Sequence, residues 1–159
     1  MTRRNRWLTG FAVLAILLTL LTGCAPQATE PTAAAPAVTV AAIDEAGVYT
    51  EKDDVALYLH VYGRLPDNFI TKAQARALGW EGGGLEDYAP GKCIGGDVFG
   101  NYEELLPEAD GRTYHECDIG TLGEGSRGAK RIVYSDDGLI YYTGDHYESF
   151  TLLYGADNP

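Results

Sequence analysis

The stretch RIVYSDDGLIYYT, residues 131–143, decides the fold class. Asp137-Gly138 between two apolar runs is a strong signal for a β-hairpin, so the stretch predicts strands over 131–134 and 139–143. Strand-like runs on either side predict three further strands, over 94–99, 113–119 and 147–153. From Cys93 onwards, the sequence therefore predicts an antiparallel sheet.

Helical patterns lie before these strands. Thr50 is predicted to open a first helix, in which apolar residues follow at helical spacing until Gly63 ends it. Thr71 and Gln74 have the form of a capping box, which begins a second helix that ends at Gly79. A short third helix is predicted over 85–89. Helices followed by an antiparallel sheet indicate an α+β domain.

The first 46 residues are predicted to lie outside this domain. Residues 1–23 carry three arginines before an apolar run, which is typical of a secretory signal and shorter than the about 20 residues of a membrane span. The ending Leu-Thr-Gly-Cys resembles the bacterial lipoprotein cleavage box, which would make Cys24 the lipidated residue; an uncleaved anchor is the alternative. Residues 24–46, rich in Ala, Pro and Thr, are predicted to be a tether. The domain, residues 47–159, is then exported, either on the outer face of the cell membrane or extracellular.

The composition excludes several classes of protein. With 45% hydrophobic and 22% charged residues, the chain is globular rather than disordered throughout, and its three cysteines are too few for a disulfide scaffold. Lys and Arg number 12 against 23 Asp and Glu, for a formal net charge of −11. This acidity argues against a generic nucleic-acid binder, because phosphate backbones are held mainly by Lys and Arg.

One predicted strand has a strongly polar face. Because side chains alternate along a strand, four residues on or beside strand 113–119 share that face: Arg112, Tyr114, Glu116 and Asp118. His146 precedes the last strand, and Arg127 and Arg131 are four residues apart. A carboxylate, a histidine and two arginines can perform acid–base catalysis at a phosphodiester. From spacing alone, a solvated strand and a surface histidine remain the commoner explanation.

The sequence around these residues resembles a known family. The matching segments, in order, are LPDNFITKAQARALGW (65–80), APGKCIGGDVFGN (89–101), GRTYHECDI (111–119) and DHYESFT (145–151). They resemble the barnase-type guanyl-specific ribonucleases of the microbial ribonuclease family. The resemblance implies N-terminal helices packed on a five-stranded antiparallel sheet. It also implies an endoribonuclease that needs no metal or cofactor and cuts single-stranded RNA 3′ of guanosine, through a 2′,3′-cyclic phosphate that is then hydrolysed.

The resemblance implies a role for each matching residue. Glu116 would be the general base that takes the proton of the ribose 2′-OH, and His146 the general acid that protonates the departing 5′-oxygen. Arg127 and Arg131 would hold the phosphate oxygens, an arrangement that suits the planar guanidinium, and Lys72 would lie beside the base. Three supporting residues are implied, for which structural ion pairing is the alternative: Asp97, Asp118 and Tyr147.

Guanine recognition is implied for one loop, consisting of Phe99, Gly100, Asn101, Tyr102 and Glu103. Glu103 would accept hydrogen bonds from guanine N1 and N2. Tyr102 departs from the family, which usually has Arg there. The change removes a cation near the base and phosphate, although a tyrosine can stack on a base.

The two remaining cysteines leave an alternative open. In an exported domain Cys93 and Cys117 could form a disulfide, and two buried free thiols are the alternative. Gly95-Gly96 could introduce a β-bulge between them. No metal site is expected, because the Cys-x-x-Cys type of spacing is absent.

Two other functions stay open at this point. One is a surface-anchored binding module that keeps the ribonuclease fold with weakened turnover, and the other is a toxin or effector ribonuclease. The expected partner is single-stranded RNA, with a barstar-like protein inhibitor as a further candidate. We expect a monomer that contacts the membrane only through its lipid anchor.

The charge and the implied chemistry must be reconciled. Loss of residues 1–23 removes three arginines and no acid, so 9 minus 23 gives −14 for the mature chain. RNA chemistry then requires that the cations gather in one cleft: Lys72, Arg112, Arg127 and Arg131.

Overall fold

The structure is a computed structural model that describes residues 43–156. The predicted signal 1–23, Cys24 and the tether up to residue 42 lie outside the described residues and stay predictions. The elements, in chain order, are α1 (Lys52–Tyr62), β1 (Phe69–Ile70), α2 (Lys72–Ala77), β2 (Cys93–Phe99), β3 (Tyr114–Asp118), β4 (Arg131–Ser135), β5 (Ile140–Thr143) and β6 (Thr151–Tyr154).

The sheet has six strands in the order β1 to β6 and is mixed. Strands β2 to β6 pair antiparallel, as predicted. The prediction of five antiparallel strands is wrong at one edge, where β1 pairs parallel with β2 through Phe69 with Cys93 and Ile70 with Ile94. A strand of two residues is too short to give a periodic signal, so the sequence pattern misses it.

The helices end and begin largely where local signals place them. Gly63 ends α1 with a φ of 66° and donates its N–H to Leu59. The capping box of Thr71 and Gln74 is present at the start of α2. Thr50, however, does not cap α1, because its carbonyl and hydroxyl oxygens accept hydrogen bonds from Gly120 and Thr121. Within residues 43–156, no helix combines the length and the apolar character that a membrane span requires.

Two predicted elements are wrong. The helix predicted over 85–89 is a hydrogen-bonded turn, because Pro90 follows directly and cannot donate to extend it. The last strand begins at Thr151 rather than 147, because Ser149 donates its N–H to Asp145 and closes a turn instead. The hairpin at Asp137-Gly138 is confirmed, with Ser135 and Leu139 bonded across it.

Helix α1 packs on one face of the sheet. Its residues Val55, Ala56 and Leu59 share an apolar cluster with four sheet residues or their neighbours: Cys117, Ile119, Ile132 and Ile140. A second cluster surrounds Trp80 and Leu85. Because side chains alternate along β3, Cys117 faces α1 while Glu116 and Asp118 face the opposite side of the sheet.

The disulfide between Cys93 and Cys117 is not formed, and both residues are buried free thiols. The β2–β3 register explains this, because Cys117 lies opposite Gly95 and not opposite Cys93. The predicted bulge is confirmed, since the register shifts between Gly95 and Asp97.

Candidate active site

A cleft of about 690 Å³ opens on the sheet face away from α1. Six of the side chains that the sequence singles out line it: Lys72, Glu116, Arg127, Arg131, His146 and Tyr147. The loop residues Phe99, Gly100, Asn101, Tyr102 and Glu103 line it as well. Residues from α2, β2, β3, β4 and three loops thus converge on one space, although up to 75 positions separate them along the chain.

Glu116 lies in the middle of β3 and is 7% exposed. One carboxylate oxygen accepts a hydrogen bond from the Lys72 ammonium, and the other accepts one from the Tyr147 hydroxyl. Burial acts to raise the pKa of Glu116, but the hydrogen bonds from Lys72 and Tyr147 outweigh it and bring the pKa below its ordinary value of 4.5. Glu116 is therefore ionised at neutral pH and can accept a proton.

Asp97 positions Lys72 through the backbone. The bulge at Gly96, which has a φ of 93°, places Asp97 opposite Glu116 in the sheet. Its carboxylate accepts the backbone N–H of Lys72 at 2.9 Å, at the first residue of α2. Asp97 thus fixes the start of this helix, and the Lys72 side chain then reaches Glu116.

Asp118 holds both arginines but engages them differently. Its carboxylate is 1% exposed and accepts hydrogen bonds from Arg127 Nε at 2.6 Å and Arg127 Nη2 at 2.8 Å. Arg131 Nε lies 2.9 Å from Asp118 Oδ1 without the alignment of a hydrogen bond. Both arginines therefore belong to one buried network around Asp118.

The guanidinium groups of Arg127 and Arg131 differ in which hydrogen-bond donors remain free. Arg131 is 2% exposed and donates to the backbone carbonyls of Arg127, Gly128 and Lys130. Arg127 has a partly exposed side chain, and its Nη1 has no hydrogen-bond partner among residues 43–156. Arg127 is thus the arginine with donors available to an anion in the cleft, while Arg131 mainly holds the loop.

His146 sits at an exposed position in the turn between β5 and β6. His146 and Tyr147 both have left-handed backbones, with φ of 60° and 73°. Asp145 stabilises this turn, since its carboxylate accepts hydrogen bonds from Thr143 Oγ1, Ser149 N–H and Ser149 Oγ. Hydrogen bonds from Ser149 and Thr143 lower the pKa of Asp145 to about 2.

No role was predicted from the sequence for Asp145, Thr143 or Ser149. Thr143 Oγ1 also accepts the N–H of Tyr147, so the network holds both residues that follow Asp145. The available signal was an Asp two residues after a Thr and four before a Ser, a spacing typical of side chains that bond to nearby backbone in turns.

The loop implied in base recognition is held by its own side chains. The Asn101 amide accepts the N–H of Leu106 at 3.0 Å and donates to its carbonyl at 2.9 Å, so this side chain stabilises the loop. The Phe99 ring stacks on Tyr147 with centroids 5.2 Å apart. Tyr102 is 90% exposed and Glu103 is also exposed. The loop therefore presents an aromatic ring and a carboxylate at the rim of the cleft.

Arg112 does not join the cleft, contrary to the expectation from the sequence. Its guanidinium donates to Asp137 at 2.8–3.1 Å and to the Pro107 carbonyl at 2.7 Å. The β4–β5 hairpin brings Asp137 beside the beginning of β3, and this long-range pairing is not revealed by sequence spacing. The positive charge of the cleft comes from Lys72, Arg127 and Arg131.

Known proteins are similar to this chain in sequence. A sequence model described as ribonuclease matches residues 52–154, which include every residue of the cleft. The chain belongs to the ribonuclease family. The ribonuclease of Bacillus intermedius is 58% identical over 103 residues, which are 64% of this chain and 63% of that protein. This chain thus spans slightly under two thirds of that relative.

Two other ribonucleases extend the comparison. The ribonuclease of Heyndrickxia coagulans is 59% identical over 103 residues, which are 64% of this chain and 94% of that protein. Guanyl-specific ribonuclease St of Saccharopolyspora erythraea is 47% identical over 57 residues, which are 36% of this chain and 56% of that protein.

Proposed function

We propose that this member of the ribonuclease family is a guanyl-preferring endoribonuclease acting on single-stranded RNA. One observation carries the proposal: the cleft holds an ionised, buried carboxylate, Glu116, together with an exposed histidine, His146, and the free donors of Arg127. These are a base, an acid and an anion-binding group in one space, as phosphodiester transfer requires.

In the first step, RNA is cut by transphosphorylation. Glu116 removes the proton of the ribose 2′-OH, and the 2′-oxygen attacks the adjacent phosphorus. Arg127 Nη1 donates to a non-bridging oxygen as negative charge builds on the phosphoryl group. The imidazolium of His146 gives its proton to the 5′-oxygen as the P–O5′ bond breaks. The products are a 2′,3′-cyclic phosphate and a free 5′-OH, and the proton count balances.

In the second step, the roles of the two residues reverse. His146, now neutral, takes a proton from water, whose oxygen attacks the cyclic phosphate. Glu116, now protonated, returns its proton to the 2′-oxygen as that P–O bond breaks. The result is a 3′-phosphate, and both groups regain their starting protonation states.

Guanine preference rests on the 99–103 loop. The Glu103 carboxylate, exposed at the cleft, can accept hydrogen bonds from guanine N1 and N2, a donor edge that adenine lacks. The exposed Tyr102 ring can stack on a base, an interaction of about 1–3 kcal/mol. The name of the guanyl-specific relative from Saccharopolyspora erythraea supports the same preference.

The decisive experiment uses the purified protein and dinucleoside monophosphates. We expect it to convert GpA to guanosine 2′,3′-cyclic phosphate and then to the 3′-phosphate, with a higher kcat/KM than for ApA and no loss in EDTA. Failure to form any cyclic phosphate would overturn the proposed function. Equal rates on GpA and ApA would retain the nuclease and remove the guanine preference.

The binding-module alternative is not favoured, because the cleft retains all of the implied catalytic side chains and the relatives are named ribonucleases. A toxin or effector role would use the same chemistry. Export through residues 1–23, lipidation of Cys24, a barstar-like inhibitor and the monomeric state stay predictions.

Lys72→Met tests the electrostatic control of the base. Lys72 lowers the Glu116 pKa, so removing its charge and hydrogen bond should raise that pKa, because only Tyr147 and Arg127 then oppose the effect of burial. The acid limb of the kcat/KM profile should therefore move to higher pH. The plateau should also fall, because the cleft loses one of its three cations, which stabilise the negative charge that builds on the phosphoryl group.

Lys92→Met is the matched control for this profile. The Lys92 ammonium donates to the Asp67 carbonyl and does not line the cleft, so this variant should keep the wild-type acid limb. An acid limb that stays in place in Lys72→Met would contradict the assignment of Lys72 as the group that lowers the Glu116 pKa.

A further inference from the structure

We propose that Gly84, through its close contact with the loop between β3 and β4, positions Arg127 for phosphoryl transfer. The inference rests on the proposed ribonuclease function. The β3–β4 loop comprises residues 119–130 and carries Arg127, so its path decides where the Arg127 guanidinium lies.

Among residues 43–156, hydrogen bonds fix the β3–β4 loop to the rest of the domain at two places before Arg127. Near its start, Thr50 accepts hydrogen bonds from the N–H groups of Gly120 and Thr121. Near its tip, Gly84 N–H donates to the Gly125 carbonyl at 3.0 Å. The second of these contacts lies only two residues before Arg127.

Only a glycine fits at position 84. A Cβ there would lie 2.3 Å from the Glu124 carbonyl oxygen and 2.8 Å from two backbone atoms of Gly125. These are backbone atoms, so no side-chain rotation relieves the overlap. Gly84 does not have a left-handed backbone, so the close approach and not the dihedral angle is what requires glycine.

Trp80 contacts both the segment 82–84 and Arg127. Its indole is 4% exposed, and its N–H donates to the Gly83 carbonyl at 3.2 Å. The Arg127 guanidinium carbon lies 5.8 Å from the centroid of the Trp80 ring, within the range of a cation–π contact. The segment 82–84, Trp80 and the β3–β4 loop therefore form one connected unit.

A methyl group at position 84 should push residues 124–125 outwards. Arg127 would then keep its bond to the buried Asp118 only by changing the direction in which its free Nη1 points. A misplacement of about 1 Å in a positioning group can cost about 100-fold in rate. Because the charge on the phosphoryl oxygens grows in the transition state, the loss should appear in kcat rather than in KM.

The test combines Gly84→Ala, Arg127→Ala, the double variant and Gly125→Ala, all assayed on GpA in the otherwise unchanged protein. Gly84→Ala should lower kcat by about 10- to 100-fold and change KM by less than about twofold. In the Arg127→Ala background, Gly84→Ala should cost less than about twofold, because its effect has no group left to act through. A Cβ at Gly125 meets no atom within 4 Å, so Gly125→Ala is the matched control and should retain wild-type kcat.

The outcomes separate this inference from the proposed function. An inactive wild-type protein would overturn the ribonuclease function itself. If the wild type is active, either of two results would overturn the positioning role. One is an equal loss of kcat in Gly84→Ala and Gly125→Ala. The other is the full Gly84→Ala loss persisting in the Arg127→Ala background. Urea unfolding checks that Gly84→Ala is folded. If it is not, Trp80→Phe must show the same dependence on Arg127, because this variant removes the N–H that holds Gly83 and part of the ring that contacts Arg127.

Discussion

Glu116→Gln is expected to lower kcat/KM for GpA by about 1000-fold, within the range of about 100 to 10,000 for a positioned general base. Glutamine keeps the length of the side chain and one oxygen that can accept from Lys72, while its NH2 group can donate to the Tyr147 hydroxyl oxygen. It cannot take the proton of the 2′-OH. The loss would therefore measure the base itself and not the collapse of its surroundings.

Stability measured against pH provides the structural control. The folded-state pKa of Glu116 lies below its ordinary value of 4.5, so its ionised form stabilises the fold above that pH. This contribution is lost as the pH falls below 4.5 and through the folded-state pKa. Glu116→Gln should lack this pH dependence while remaining folded at neutral pH.

Asp136→Asn is the companion variant for activity, because Asp136 is an exposed acid that lies 3.7 Å from His115 and does not line the cleft. It should retain wild-type kcat/KM. Cleavage of GpA at the wild-type rate by Glu116→Gln would remove Glu116 from the mechanism and leave another group as the base.

The parts of the fold that the sequence predicts are those set by neighbouring residues. The capping box of Thr71 and Gln74, the stop at Gly63 and the hairpin at Asp137-Gly138 each need only a few consecutive residues. Their hydrogen bonds form within one turn, so local chemistry determines them.

The errors arise where a distant segment competes for a local group. Thr50 has the chemistry of a helix cap, but the β3–β4 loop uses its oxygens, and Glu51 takes the cap position without a side-chain bond. The β1 strand exists only because β2 lies beside it. Such pairings depend on the tertiary fold, which the periodicity of apolar residues in the sequence does not predict.

The candidate site shows the same division. The resemblance names the residues of the cleft, and the structure brings them together. The resemblance does not distinguish Arg127, which has free donors, from Arg131, whose donors are held by backbone carbonyls. The expectation that the cations gather in one cleft, drawn from the net charge, also included Arg112, whereas Asp137 holds Arg112 at the hairpin. Which cation is available depends on its partners, and those lie far apart in the sequence.

His146→Asn is expected to lower kcat for GpA by about 1000-fold, again within the range of about 100 to 10,000 for a positioned acid or base. Asparagine is chosen because residue 146 has a φ of 60°, a conformation that Asn tolerates better than most residues. The Asp145 network should therefore keep its turn. The matched control is His115→Asn, since His115 lies outside the cleft beside Tyr134.

The leaving group then decides whether His146 is the general acid. In GpA the departing 5′-oxygen is an alkoxide and needs a proton, whereas a 4-nitrophenyl ester of guanosine 3′-phosphate releases a stable phenolate. The defect of His146→Asn should shrink to about tenfold or less on the nitrophenyl ester, because protonation no longer limits departure. The defect of Glu116→Gln should persist on both substrates, since the 2′-OH must still lose its proton. Equal defects of His146→Asn on the two substrates would assign His146 to binding or orientation and leave the proton donor elsewhere in the cleft.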